Sequence, residues 1–116
     1  MEDNMENMQE KMEQIAMEII LAAGDARIEA NKALDAAESF DFVTADQCLQ
    51  EARKNIVKAH NAQTDTMQKE IASEESFPTS ILFNHAQDTL MTVMTEINMT
   101  ERFIRMFRIL DQKFSA

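Results

Sequence analysis

One Gly and one Pro are all that this chain of 116 residues offers for sharp turns. A β-sandwich or barrel needs a turn signal roughly every 8–12 residues, so two such residues cannot punctuate one. Ala, Met, Glu, Gln and Lys, all good helix formers, fill the space between them. Few turns and strong helix formers predict a handful of long helices in a single domain.

The apolar spacing says how many. Residues 1–11 are acidic and polar with scattered Met, and read as a flexible N-terminal arm or an early helix extension ahead of a helical domain over 12–116. From Met12 the stripe Met12, Ile15, Ala16, Ile19, Ile20, Ala23, Ala26, Ala30, Ala33, Leu34, Ala37 steps by three and four, which is an amphipathic helix. Gly24 sits inside it, at a cost of about 1 kcal/mol relative to Ala; with alanines around it, a tight helix contact is expected there. Ser39 to Thr44 break the pattern. Asp41 or Thr44 can cap the next helix, and Thr44 with Gln47 fits a capping box. The second stripe is Ala45, Cys48, Leu49, Ala52, Ile56, Ala59, Gln63, Met67, Ile71. Residues 72–80 form the one real linker, and Pro78, Thr79 and Ser80 make a helix start signal.

The third helix, about Ile81 to Lys113, carries two stripes. One holds Leu82, Ala86, Leu90 or Val93, Ile97, Ile104 and Phe107; the other holds Ile81, His85, Asp88, Thr92, Met99, Phe103, Met106 and Leu110. A helix apolar on two sides must be buried on two sides. Two partner helices cover only one of them, so the second predicts self-association. Three antiparallel helices of roughly 40 Å each give an all-α, up-down-up bundle.

The charge excludes several partners. The formal net charge is -10, from 21 acidic and 11 basic residues. Such a chain repels nucleic-acid phosphates and anionic lipid surfaces, and favours partners with basic faces. No apolar run reaches the ~18–20 residues of a membrane span, and the acidic N-terminus lacks the basic region of a signal peptide. A cytoplasmic protein is expected. One Cys gives neither a disulfide framework nor a CxxC pair; Cys48 lies on the helix stripe and reads as a small core residue.

Few residues remain for chemistry. There is no Glu-x-x-His for a di-iron site, no His-x-x-x-His for zinc and no Gly-rich phosphate loop. His85 and Asp88, at i and i+3, share a helix face. A carboxylate near an imidazole favours its charged form and orients it, and an imidazole nitrogen is a nucleophile; an ordinary surface pair is the plain alternative. Asp88 also lies on the self-association stripe. Carboxylates brought to a symmetry axis raise one another's pKa or take up a cation, and a hard oxygen site of this kind suits Mg²⁺ or another divalent ion.

The stretch His85-Ala86-Gln87-Asp88-Thr89-Leu90-Met91-Thr92 resembles the active-site signature of the lactose/cellobiose family of phosphotransferase-system (PTS) enzyme IIA components. Ile19 to Arg27 is similar to that family's first-helix motif, Asp41-Phe42 with Ala45 to its first turn, and Lys58 to Thr64 to its second-helix motif. The likeness covers roughly residues 12–113, with the motifs in order. It implies a three-helix protomer assembled as a homotrimer. It implies that His85 takes a phosphoryl group from phospho-HPr and passes it to the cysteine of enzyme IIB. A β-linked disaccharide such as cellobiose, chitobiose or lactose is then phosphorylated as the membrane component, enzyme IIC, admits it. It places Asp88 on the trimer axis, where a divalent metal can bind, and makes contact with the membrane indirect. Gln87 and Thr89 stand close enough in sequence to donate hydrogen bonds to phosphoryl oxygens, although Gln87, two residues on, normally faces elsewhere and would serve a neighbouring subunit. His60 is expected to pack or hydrogen-bond within the bundle. Three positions depart from the family's pattern: Asn84, Thr89, and Phe40, which replaces a Gly and so predicts a turn without a left-handed cap. The competing class is a non-catalytic trimeric interaction or regulatory module on the same fold.

Overall fold

The computed structural model describes residues 2–73 and 80–115, and they form three helices: α1 (Glu2–Glu38), α2 (Phe42–Ala72) and α3 (Ile81–Phe114). No strand occurs among the described residues. At 1.5 Å per residue the helices are roughly 45–55 Å long, longer than the stripes alone predict. The gain is largest at the start of α1, which begins at Glu2, well before Met12.

The order is up-down-up. Arg27 of α1 pairs with Glu96 of α3, while Asp46 and Arg53 of α2 pair with Arg108 and Glu101 of α3. The first pair belongs to parallel neighbours and the other two to antiparallel ones. α1 lies against both other helices, and its buried face is mostly alanine: Ala16, Ala23, Ala26, Ala33 and Ala37 have no solvent exposure. Small side chains let the backbones come close. The larger core residues are Ile19 of α1 with Leu90, Val93 and Ile97 of α3. Both Leu90 and Val93 point inward, so the inner stripe of α3 is wider than expected, and Phe83 joins it. Two buried threonines are satisfied within their own helices: Thr66 Oγ1 donates to the Ala62 carbonyl at 2.9 Å and Thr100 Oγ1 to that of Glu96 at 2.8 Å. Cys48 is half-buried against the cluster of Ala33, Ala37, Ala45 and Ile104, and burial pushes its thiol pKa up.

Four expectations are corrected. α2 starts at Phe42, capped by Asp41, whose side chain accepts from the Thr44 amide at 3.2 Å; Thr44 is already inside the helix, so no capping box forms on it. That hydrogen bond holds the Asp41 carboxyl pKa below its ordinary value. The α1–α2 turn does have a left-handed cap, because Phe40 itself takes φ 61°. The Asp41 amide donates to the Ala36 carbonyl at 2.9 Å and the Phe40 amide to that of Ala37 at 3.0 Å, the two bonds of a Schellman ending. Gly24 makes no tight contact: a Cβ built on it meets no atom within 4 Å. His60 is exposed on α2 and does not pack inside the bundle. At the third helix, Pro78 and Thr79 lie outside the described residues, and the cap is Ser80, whose hydroxyl accepts from the Phe83 amide at 3.0 Å.

Candidate functional site

α3 emerges from its Ser80 cap with Phe83, Ala86 and Leu90 buried. That packing fixes the rotation of the helix. His85 and Asp88 are thereby turned to solvent, followed by Thr92 one turn on. The three share one face, as the i, i+3, i+7 spacing requires. Neither His85 nor Asp88 has a side-chain hydrogen bond or ion pair among the described residues. Two threonines bond back to the helix beneath them: Thr89 Oγ1 donates to the His85 carbonyl and Thr92 Oγ1 to the Asp88 carbonyl, each at 2.8 Å. In this state the Thr89 hydroxyl proton is committed to the backbone and not free for a ligand above His85. Gln87 is half-buried and about 200° round the helix from His85. The structure thus brings His85 and Asp88 together and sets Gln87 apart from them. His60 is not near this pair either. The antiparallel pairing of α2 with α3 puts it level with Met94, roughly 13 Å along the axis from His85.

The rest of the outward face of α3 is apolar. Ile81, Met99, Phe103, Met106 and Leu110 are all exposed, as the second stripe predicts. His85 stands where this face meets a valley between α1 and α3. The valley near it is lined by Glu10, Glu13, Met17, Glu18 and Leu21 of α1 and by Leu82, one turn before His85. Further along, Arg27 crosses it to Glu96 with two hydrogen bonds of 2.8 and 3.0 Å, and Glu96 raises the guanidinium pKa. No group of three His, Cys, Asp or Glu side chains suited to a metal occurs among the described residues. No helix is long and apolar enough to cross a membrane among the described residues.

One set of residues escapes the sequence reading. Met17, Leu21 and Ile28 lie exposed in line with Gly24 on the solvent side of α1. The signal was present as a second stripe of four- and three-residue steps, 17, 21, 24 and 28, beside the core stripe.

Comparison with known proteins agrees with this geometry. Residues 14–108 match the family described as "PTS system, Lactose/Cellobiose specific IIA subunit". A lactose-specific PTS EIIA component of Lacticaseibacillus casei is 41% identical over 99 residues, which cover 85% of this chain and 88% of that one. The crystal structure of a cellobiose-specific PTS enzyme IIA from Bacillus anthracis superposes with a TM-score of 0.81 at 35% identity, covering 88% of this chain and 93% of the other. A chitobiose IIA solved in complex with HPr, from the Escherichia coli phosphotransferase system, gives a TM-score of 0.72 at 29% identity over 86% of this chain and 96% of that one. The chain therefore belongs to the lactose/cellobiose-specific IIA family, the phosphotransferase components of PTS sugar uptake.

Proposed function

We propose that His85 is the phosphoryl acceptor, loaded by phospho-HPr and discharged to the cysteine of enzyme IIB. The observation that carries this reading is the setting of His85: an exposed imidazole, early in a capped helix, immediately followed by the fully buried Ala86. The burial of Ala86 fixes the helix beneath the ring, and the ring itself is open to solvent. In loading, a neutral imidazole nitrogen attacks phosphorus in line. The new P–N bond forms as the bond between phosphorus and the donor breaks, and the donor group leaves with that bond's electron pair. In discharge a thiolate attacks, the P–S bond forms and His85 is released. Such transfers depend on positioning and charge stabilisation; the packed helix fixes the position of the His85 backbone, and its exposure leaves the ring accessible. HPr as donor is supported by the related chitobiose IIA, which was solved with HPr.

The assembly belongs to the same proposal. The apolar outer face of α3 is covered by other copies in a homotrimer, with Asp88 meeting its equivalents at the axis. A divalent cation such as Mg²⁺ would neutralise three carboxylates there. Gln87, on the far flank of the helix, reaches a phosphoryl group only across such an interface. The sugar is a β-linked disaccharide of the cellobiose, chitobiose or lactose kind, and the transfer takes place in the cytoplasm.

The test is incubation with phosphoenolpyruvate, enzyme I and HPr. Acid-labile phosphate on the unmodified protein, absent from His85→Ala, is the expected result. An unlabelled protein with a working HPr would overturn the reading in favour of a non-catalytic module. Light scattering reads the assembly separately: a mass near 13.3 kDa would refute the trimer.

A further inference from the structure

The outward face of α3 repeats every seven residues. Asp88, Thr92, Thr95, Met99, Arg102 and Met106 follow one another by steps of four and three, and all of them are exposed. Ile109 extends the run. In a straight helix such a line drifts by about 20° per heptad. A left-handed supercoil of parallel helices straightens it. Asp88 and Arg102, two heptads apart, then lie on one line about 21 Å from each other.

Arg102 is out of character on this line. One turn away on either side are Met99 and Met106, and Phe103 is beside it. Arg102 has no ion pair or side-chain hydrogen bond among the described residues. The carboxylates near its level are engaged elsewhere. Glu101 is turned to Arg53 of α2 and to Arg105. Glu96 holds Arg27 of α1, and Asp46 holds Arg108. The valley on the α1 side, lined by Asn31, Leu34, Met99 and Phe103, has no carboxylate besides Glu96. The valley on the α2 side has none besides Glu101 and Asp46.

Association of copies turns this into a demand for charge. In a homotrimer with Asp88 at the axis, the reading on which this inference rests, the same line carries Arg102 to the axis. Three guanidinium groups then meet among methionines, and no carboxylate of the flanking valleys is free to face them. Charge taken out of water needs a partner, and here the partner has to be an anion. The planar fork of Arg suits oxyanions, which it holds through paired N–H bonds. A tetrahedral oxyanion has threefold symmetry of its own, so three of its oxygens can each meet one Arg102.

We infer that the three Arg102 side chains of the assembly form an anion site on its axis, which takes a tetrahedral oxyanion such as inorganic phosphate. The site lies about 26 Å along α3 from His85, so it holds a free anion and not the transferred group. The experiment is equilibrium dialysis of the protein against radiolabelled inorganic phosphate, with light scattering on the same samples. One phosphate per three chains is expected. It is retained in His85→Ala and lost from Arg102→Met, which keeps the mass of three chains. Arg102→Lys, with the charge but not the fork, binds about tenfold more weakly. Saturating phosphate raises the Tm of the unmodified protein by about 3 °C over chloride of equal ionic strength, and leaves that of Arg102→Met unchanged. A three-chain assembly that binds no phosphate overturns the anion site alone. So does phosphate that Arg102→Met keeps, or that His85→Ala loses, which would assign it to the phosphoryl-transfer site. A fall in the mass of Arg102→Met overturns it too, because Arg102 would then pair directly with a neighbouring copy. A mass of one chain overturns the trimer and this inference together. A mass of two chains does the same, since an antiparallel pair sets Asp88 of one copy against Arg102 of the other without an anion.

Discussion

The left-handed Phe40 makes a prediction of sign. Its φ of 61° costs a residue with a Cβ roughly 1–2 kcal/mol. Glycine escapes that cost but loses more backbone entropy on folding, about 0.4–1 kcal/mol relative to Ala. The balance favours Gly over Ala at position 40 by about 0.5–1 kcal/mol. Comparing Phe40→Gly with Phe40→Ala removes the ring from both, and with it the edge-on contact to Phe42 at 6.4 Å. The ring is 58% exposed, so neither variant opens a core cavity. The Schellman hydrogen bonds from Phe40 and Asp41 use backbone amides, and both variants keep them. The assay is thermal and urea unfolding of the two variants at one protein concentration, because Tm depends on concentration wherever copies associate. The Gly variant should melt a few degrees higher. At an ordinary negative φ the entropy term stands alone and Ala wins. A more stable Phe40→Ala would therefore refute the left-handed ending of α1.

Three further outcomes follow from the helix ends and the core. Ser80→Ala removes the acceptor for the Phe83 amide and should cost about 1 kcal/mol, measured by urea unfolding. Ile97→Ala, at a residue only 1% exposed between α1 and α3, should cost about 2–5 kcal/mol by the same assay, while Val57→Ala stays within about 0.5 kcal/mol. The Asp41 carboxyl titrates below its ordinary value because it accepts from Thr44. A depressed folded-state pKa means stability present above the unfolded value and lost as pH falls through the folded one. The stability difference between the unmodified protein and Asp41→Leu should shrink through the acid side of the carboxylate range, as read by unfolding curves at stepped pH.

How much was legible in the sequence depends on what each residue touches. The three helices were readable because core positions repeat every three or four residues, and the buried alanines of α1 follow the stripe closely. The extension of α1 back to Glu2 leaves only a thin trace: Met5 and Met8 continue the steps of three and four back from Met12, but two apolar residues among many polar ones read as scattered, although Met8 lies beside Thr66 and Lys69 of α2. The cap of α2 was ambiguous because Asp41 and Thr44 both have a capping side chain, and only the end of α1 decides between them: its Schellman bonds use the Phe40 and Asp41 amides and leave Asp41 in place to cap. Phe40 was misread for a related reason. Glycine is the usual left-handed residue because it is the least strained, yet two backbone hydrogen bonds hold a phenylalanine there as well.

Gly24 shows the limit of the sequence from the other direction. A glycine among alanines was read as a contact inside the bundle, whereas its open side faces solvent. Sequence spacing gives a residue's phase on its own helix, but not which phase the neighbouring helices cover. The same uncertainty applied to the two stripes of α3. There the fold sets apart the stripe that contains a histidine and an aspartate, which a core would leave unpaired at considerable cost. That stripe is the outward one, and Met99, Phe103, Met106 and Leu110 are exposed on it. On α1 no such marker interrupts Met17, Leu21, Gly24 and Ile28, so only the fold reveals that this stripe is unpartnered. α1 and α3 thus each keep an apolar face outside the core, and the two faces differ in charge: acidic residues are sparse on α3 beyond Asp88, while Glu10, Glu13 and Glu18 rim the stripe of α1.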